Sequence, residues 1–106
     1  MYYVLKDKKA IPVSDVIYWG KWFEKNDDRI VKQETLDNGL WVSTVFLGID
    51  HNFGFGKPLL FETMVFKSKD NLDEIDMDRY STWREAEKGH KKLVEKYKNE
   101  KMIILR

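Results

Sequence analysis

The chain has 106 residues, 19 basic against 18 acidic side chains and no cysteine. That length carries one hydrophobic core and not two, and a formal charge of +1 argues against both a general nucleic-acid binder and a strongly acidic DNA mimic. Without cysteine there is no disulfide framework and no thiolate metal site, no apolar run approaches a membrane span, and the segment from Met1 to Lys9 has neither the apolar core nor the cleavage site of a signal peptide. The expectation is a single domain over 1–106 in a cytoplasmic setting.

Tyr2 to Leu5 reads as a short strand, and Ile11, Pro12 and Val13 lead into Ser14, a residue type suited to an N-cap. A helix from about Asp15 to Lys25 follows. Val16, Trp19, Gly20 and Phe23, flanked by Ile17 and Trp22, recur at three and four residues and predict one broad buried face. Asn26, Asp27 and Asp28 end it. Arg29 to Leu36 and Leu40 to Ile49 are strand-like, and Asn38-Gly39 between them predicts a hairpin with a type I′ turn. Along the second strand Trp41, Ser43, Val45, Leu47 and Ile49 share one face and Val42, Thr44, Phe46 and Gly48 the other. Both faces are largely apolar, so the strand is either covered on each side or keeps one face for a partner.

Leu59 to Lys67 predicts a third strand on which Leu60, Glu62, Met64 and Phe66 share a face. Lys67 to Asp78 reads as a solvated connection, acidic but without the glycine and terminal glutamate of a calcium loop. A short strand from Arg79 to Ser81 returns to the sheet. Thr82 and Glu85 form a capping box, and the stripe Trp83, Ala86, His90, Leu93, Val94 and Tyr97 marks the second helix. Met102 to Leu105 adds a terminal strand or a packed tail. The fold class is therefore α+β, an antiparallel sheet of four to five strands with two helices in the order β-α-β-β-β-α.

The loop from Asp50 to Pro58 joins two apolar strands and combines ionisable groups with glycines that allow close backbone approach. Its candidate residues are Asp50, His51, Gly54 and Lys57, against the alternative of a structural turn in which the aspartate caps backbone donors. Glu62 on an apolar face needs a cation or a raised pKa, and an ion pair is its simplest explanation. His90 on the helix stripe reads first as a hydrogen-bonded core histidine. Gly54-x-Gly56 lacks the third glycine of a dinucleotide fingerprint, there is no phosphate loop, and no serine sits in a nucleophile elbow. No cofactor is indicated.

The string from Thr44 to Gly54, followed by Pro58 to Phe66 and by Tyr80-Ser-Thr-Trp-Arg-Glu-Ala-Glu-Lys-Gly-His90, resembles a group of small bacteriophage and prophage proteins without an assigned activity. The likeness runs from about Trp19 to His90. It implies a phage or prophage origin and a host-cytoplasmic setting, and it marks Thr44, Gly48, Asp50, His51, Gly54, Pro58, Glu62, Thr63, Tyr80, Gly89 and His90 as the motif. Polar residues dominate that set, which points toward a site, because an architectural motif is more often apolar.

Three functions compete. The first is a non-enzymatic binding module for a small anionic ligand such as a nucleotide, drawing on Thr44, Asp50, His51, Gly54, Lys57, Glu62 and His90. The second is an inhibitor or adaptor that contacts a host protein. The third is a metal-dependent hydrolase built from Asp50, His51, Glu62 and His90, for which no recognised ligand spacing speaks. A homodimer is a further expectation from the two-faced apolar sheet.

Overall fold

The computed structural model describes residues 1–100, so the expectation for Met102 to Leu105 lies outside the described residues. The chain opens with a hairpin, β1 (Tyr2–Lys6) and β2 (Lys9–Val13), in antiparallel register from Tyr2 opposite Val13 to Lys6 opposite Lys9. The second strand of this pair is not the simple lead-in that Pro12 suggested. Its turn, Asp7-Lys8, places both residues at positive φ, 52° and 67°, a type I′ geometry without the usual asparagine or glycine to announce it. Proline is tolerated because β2 is an edge strand.

The first helix, α1 (Val16–Lys25), is capped by Asp15 rather than Ser14. The Asp15 carboxylate accepts hydrogen bonds from the N–H groups of Ile17 and Tyr18 at 2.9 and 3.1 Å. The expected broad buried face is narrower in fact. No residue of α1 is fully buried, and Val16, Ile17 and Tyr18 are exposed. The helix rests on β1 and on the end of the main sheet through Trp19, Trp22 and Phe23, with the Trp19 indole donating to the Tyr3 carbonyl at 3.0 Å. Gly48, at φ 76°, makes this approach possible, since a Cβ there would stand 2.6 Å from the Phe23 ring.

The main sheet is a four-stranded antiparallel meander of β3 (Ile30–Thr35), β4 (Trp41–Phe46), β5 (Phe61–Phe66) and β6 (Glu74–Tyr80). The β3–β4 turn closes with the Gly39 N–H on the Leu36 carbonyl at 2.8 Å. Only Gly39 has positive φ there, 93°, so the turn is the three-residue kind that ends in a glycine bulge and not type I′. Asn38 serves elsewhere, donating to the carbonyls of Tyr97 and Glu100, each at 2.8 Å, at the C-terminus of the second helix. β6 begins five residues earlier than Arg79, because Asp76 is no solvated acid: Lys96 and the Tyr97 hydroxyl bind its carboxylate at 3.0 and 2.8 Å. Leu60 departs from the expected alternation and is buried next to Phe61, just before β5 begins.

The second helix, α2 (Trp83–Tyr97), starts at the capping box, with the Glu85 N–H on the Thr82 hydroxyl and the Thr82 N–H on the Glu85 carboxylate, both at 3.1 Å. It lies across the sheet face formed by Val42, Thr44 and Phe46 of β4 and Phe61, Thr63 and Val65 of β5. Gly89 is the close-contact point, where an added Cβ would overlap the Tyr80 ring. On the opposite face Ser43 of β4 pairs with Met64, Trp41 with Phe66 and Val45 with Glu62, while Met77 and Arg79 of β6 extend the same surface. Both buried core clusters lie on the α2 side, and the apolar residues of the opposite face are half-buried.

Glycine to alanine inside a helix ordinarily stabilises by about 1 kcal/mol. At position 89 the sign reverses. The Tyr80 ring fills the space a methyl group needs, so Gly89→Ala should destabilise the protein by about 2 kcal/mol, read from urea unfolding followed by circular dichroism.

Candidate functional site

Thr44 and Thr63 stand opposite each other on β4 and β5, both with 0% exposure, and their hydroxyls lie 2.5 Å apart. A buried hydroxyl costs free energy unless it is paired, and the pair is completed from above. His90 of α2, 3% exposed, sets Nδ1 2.6 Å from the Thr44 hydroxyl and Nε2 2.6 Å from the Glu34 carboxylate on β3. Nε2 donates to the Glu34 carboxylate, which can only accept, and Nδ1 and the two threonine hydroxyls complete the chain of hydrogen bonds. One helix and three strands are thereby joined by consecutive hydrogen bonds.

Electrostatics follow the geometry. The hydrogen bond from His90 is the main reason the Glu34 carboxyl lies below its ordinary pKa, with burial opposing and Lys32, 3.6 Å away, assisting. The Tyr80 phenol, half-buried beside Gly89, is raised by desolvation, with Thr63 offsetting part of the rise. Threonine, histidine and glutamate in this order have the roles of nucleophile, base and orienting acid in covalent catalysis. Here both threonines are sealed in the core. The chain of groups can hold α2 in place, and it offers no hydroxyl to a substrate.

Above the exposed edge of this network runs a groove of about 510 Å³, bordered by Lys32, Glu34, Glu87, Lys88, His90 and Lys91. It separates the β3 edge from α2.

The remaining candidates lie elsewhere. Asp50 organises its own loop, accepting from the N–H groups of Asn52 at 2.7 Å, Leu59 at 3.0 Å and Gly54 at 3.3 Å. The Asn52 N–H is the first cause of its lowered pKa, followed after desolvation by those of Leu59 and Gly54. The Phe55 N–H is taken by the Asn52 carbonyl and the His51 N–H by that of Leu59, both at 3.0 Å. Most of the loop amides are thus spent internally. His51 sets Nδ1 2.9 Å from the Ile49 carbonyl, Gly54 holds a φ of 86°, and Lys57 is exposed beside Phe53 and Phe55, each 79% exposed. Glu62 is on the uncovered sheet face, paired with Arg79 Nε at 2.9 Å, and so points away from His90. Asp50, His51, Glu62 and His90 do not converge, and no group of three or more potential metal ligands occurs among the described residues.

The structure therefore joins Thr44 and His90, adds Thr63, and separates both from Asp50, His51, Gly54, Lys57 and Glu62. Glu34 and Arg79 are not among the residues the sequence singles out. Each is one charged residue in a polar strand, and only the cross-strand register could have found them. No family model matches the chain, and neither does any curated protein or solved structure compared with it.

Replacing His90 by alanine removes the ring partner of the buried Thr44 hydroxyl and of the Glu34 carboxylate and should cost about 3 kcal/mol in urea unfolding. The triple change Thr44→Val, Thr63→Val, His90→Leu removes donors and acceptors together and should recover most of that loss. Acid sensitivity has a defined sign. Glu34 is more acidic folded than unfolded, so its contribution is complete above the ordinary carboxylate pKa and is lost as pH falls through the lower folded value. Glu34→Gln should therefore flatten the acid limb of Tm against pH. Asp50 and Asp76, shifted the same way, preserve the rest of it.

Proposed function

We propose that the protein is a non-enzymatic interaction module, of the accessory type its phage-like motif suggests, which docks a protein surface on the uncovered face of its main sheet in the cytoplasm of a host cell. The observation that carries this reading is that face itself. Trp41, stacked on Phe66 at 5.5 Å between centroids, continues into Val45, Met64 and Met77 with the Glu62–Arg79 pair alongside. Aromatic residues, methionine and arginine are the residue types enriched at protein interfaces, and a sheet in a globular protein ordinarily has its apolar face covered. No helix among the described residues is long and apolar enough to cross a membrane.

A small anionic ligand is the second reading, favoured by one observation. Lys32, Lys88 and Lys91 border the groove between β3 and α2, whereas the Asp50 loop has most of its amides occupied.

Because the chain contains no cysteine, a single introduced thiol reports on one surface. Met64→Cys should react with a maleimide much more slowly in host lysate than as dilute purified folded protein, while Lys92→Cys, exposed on α2 and outside the groove, reacts alike in both. Equal reactivity of Met64→Cys in the two settings would overturn the interaction reading. Binding of inorganic phosphate or ATP in calorimetry that is lost in Lys88→Glu/Lys91→Glu would favour the anion groove instead.

A further inference from the structure

We propose that a separate site binds a soluble phosphate ester of the mononucleotide type, in the cleft between the β1–β2 hairpin and the start of α2, where Lys8, Lys9 and Lys57 come together. It does not depend on the sheet face.

The cleft encloses about 420 Å³, within the usual range of small-molecule sites. Three segments distant in sequence build it. Lys8 and Lys9 come from the β1–β2 turn, Lys57 and Pro58 from the end of the Asp50 loop, and Trp83 from the first turn of α2. Each segment is held without help from the lysine side chains. The Tyr3 N–H meets the Gly48 carbonyl at 2.8 Å, the Asn52 side-chain amide donates to the Lys57 carbonyl at 2.9 Å, and the Leu60 N–H meets the Tyr80 carbonyl at 2.8 Å. The walls therefore stand in place before a ligand arrives, which lowers the cost of binding.

Charge selects an anion. All three lysines are exposed, no acidic residue lines the cleft, and none of the three forms an ion pair among the described residues. Like charges held together repel, and a bound anion removes that repulsion. Neighbouring cavities are different: Glu34 and Glu87 stand beside the lysines of the β3–α2 groove, and Asp7, Asp27 and Asp28 line a separate cavity that Lys8 borders. Turn chemistry does not explain Lys8 either, since its φ of 67° suits glycine or asparagine better. The end of α2 is already occupied, with the Glu85 carboxylate on the Ser81 and Thr82 N–H groups at 3.2 and 3.1 Å. The lysines supply the attraction.

The rest of the lining sets the ligand class. Pro58, the buried Leu60 and the Trp83 indole are apolar, and Lys8 Nζ lies 5.4 Å from the centre of the Trp83 ring. Inorganic phosphate would leave that surface uncovered, whereas the flat base of a nucleotide covers it while its phosphates reach the lysines. Exposed charge pairs are individually weak and screened by salt, so the affinity should be modest.

Titration calorimetry on the purified full-length protein at low ionic strength should show ATP binding with a Kd on the order of 100 μM, AMP binding more weakly and adenosine not binding. Raising the salt should weaken ATP. Lys9→Glu/Lys57→Glu, with its fold checked by circular dichroism, should bind ATP at least about ten-fold more weakly, and Lys9→Gln/Lys57→Gln should fall between it and the wild type. Lys88→Glu/Lys91→Glu, in the β3–α2 groove, should bind as the wild type does. A wild type that does not bind ATP, undiminished binding by Lys9→Glu/Lys57→Glu, or loss of binding in the groove variant overturns the proposal. Pelleting with phosphatidylglycerol vesicles by a protein that ignores ATP overturns it too, assigning the lysines to a lipid headgroup with the exposed Phe53 and Phe55 of the same loop at the bilayer. None of these outcomes alters the labelling of Met64→Cys in lysate, so the cleft and the sheet face are tested independently.

Discussion

Apolar contact between α2 and the sheet has no direction of its own, and Ala86 and Leu93 resting on strand side chains would tolerate small rolls and slides of the helix. The hydrogen bonds of His90 remove that freedom. Its two ring nitrogens reach Thr44 on β4 and Glu34 on β3, and Thr44 passes the constraint to Thr63 on β5. With His90 fixed, Gly89 one residue earlier must meet Tyr80 of β6, and the helix end falls where Asp76 and Asn38 can bind it. A buried polar network of this kind is costly when incomplete, which is why it specifies one arrangement.

That constraint changes the meaning of the polar motif. A set rich in threonine, aspartate, histidine and glutamate invites a search for a ligand, yet most of its members have structural partners. Thr44, Thr63 and His90 form one chain of hydrogen bonds. Gly89 and Tyr80 are a contact, Gly48 admits Phe23, Asp50 gathers loop amides, and Glu62 holds Arg79. Polar residues can be architectural when a helix must be placed on a sheet in one register. Once they are accounted for, the least explained feature is apolar, the uncovered face around Trp41, Met64 and Phe66.

Where local chemistry decides the outcome, the sequence is readable. The capping box at Thr82 and Glu85 is satisfied within four residues, the glycine after Asn38 forces a turn, and alternation along β4 divides its two faces correctly. The hairpin of β1 and β2 is hidden because Asp7 and Lys8 adopt positive φ without a residue that prefers it. β6 reads as shorter than it is for a similar reason, since acidic side chains on an edge strand look like a solvated loop until Asp76 meets Lys96 and Tyr97.

The sequence by itself determined the α+β class, the two helices, the β3–β4 hairpin and the two-sided apolar character of the central strand, because those depend on periodicities and caps spanning a few residues. Only the tertiary structure decided which face of the sheet α2 takes, that His90 reaches Glu34 across 56 positions of chain, and that Glu62 turns away from it. Those outcomes depend on register between strands distant in sequence, and a shift of one residue in a strand exchanges its faces.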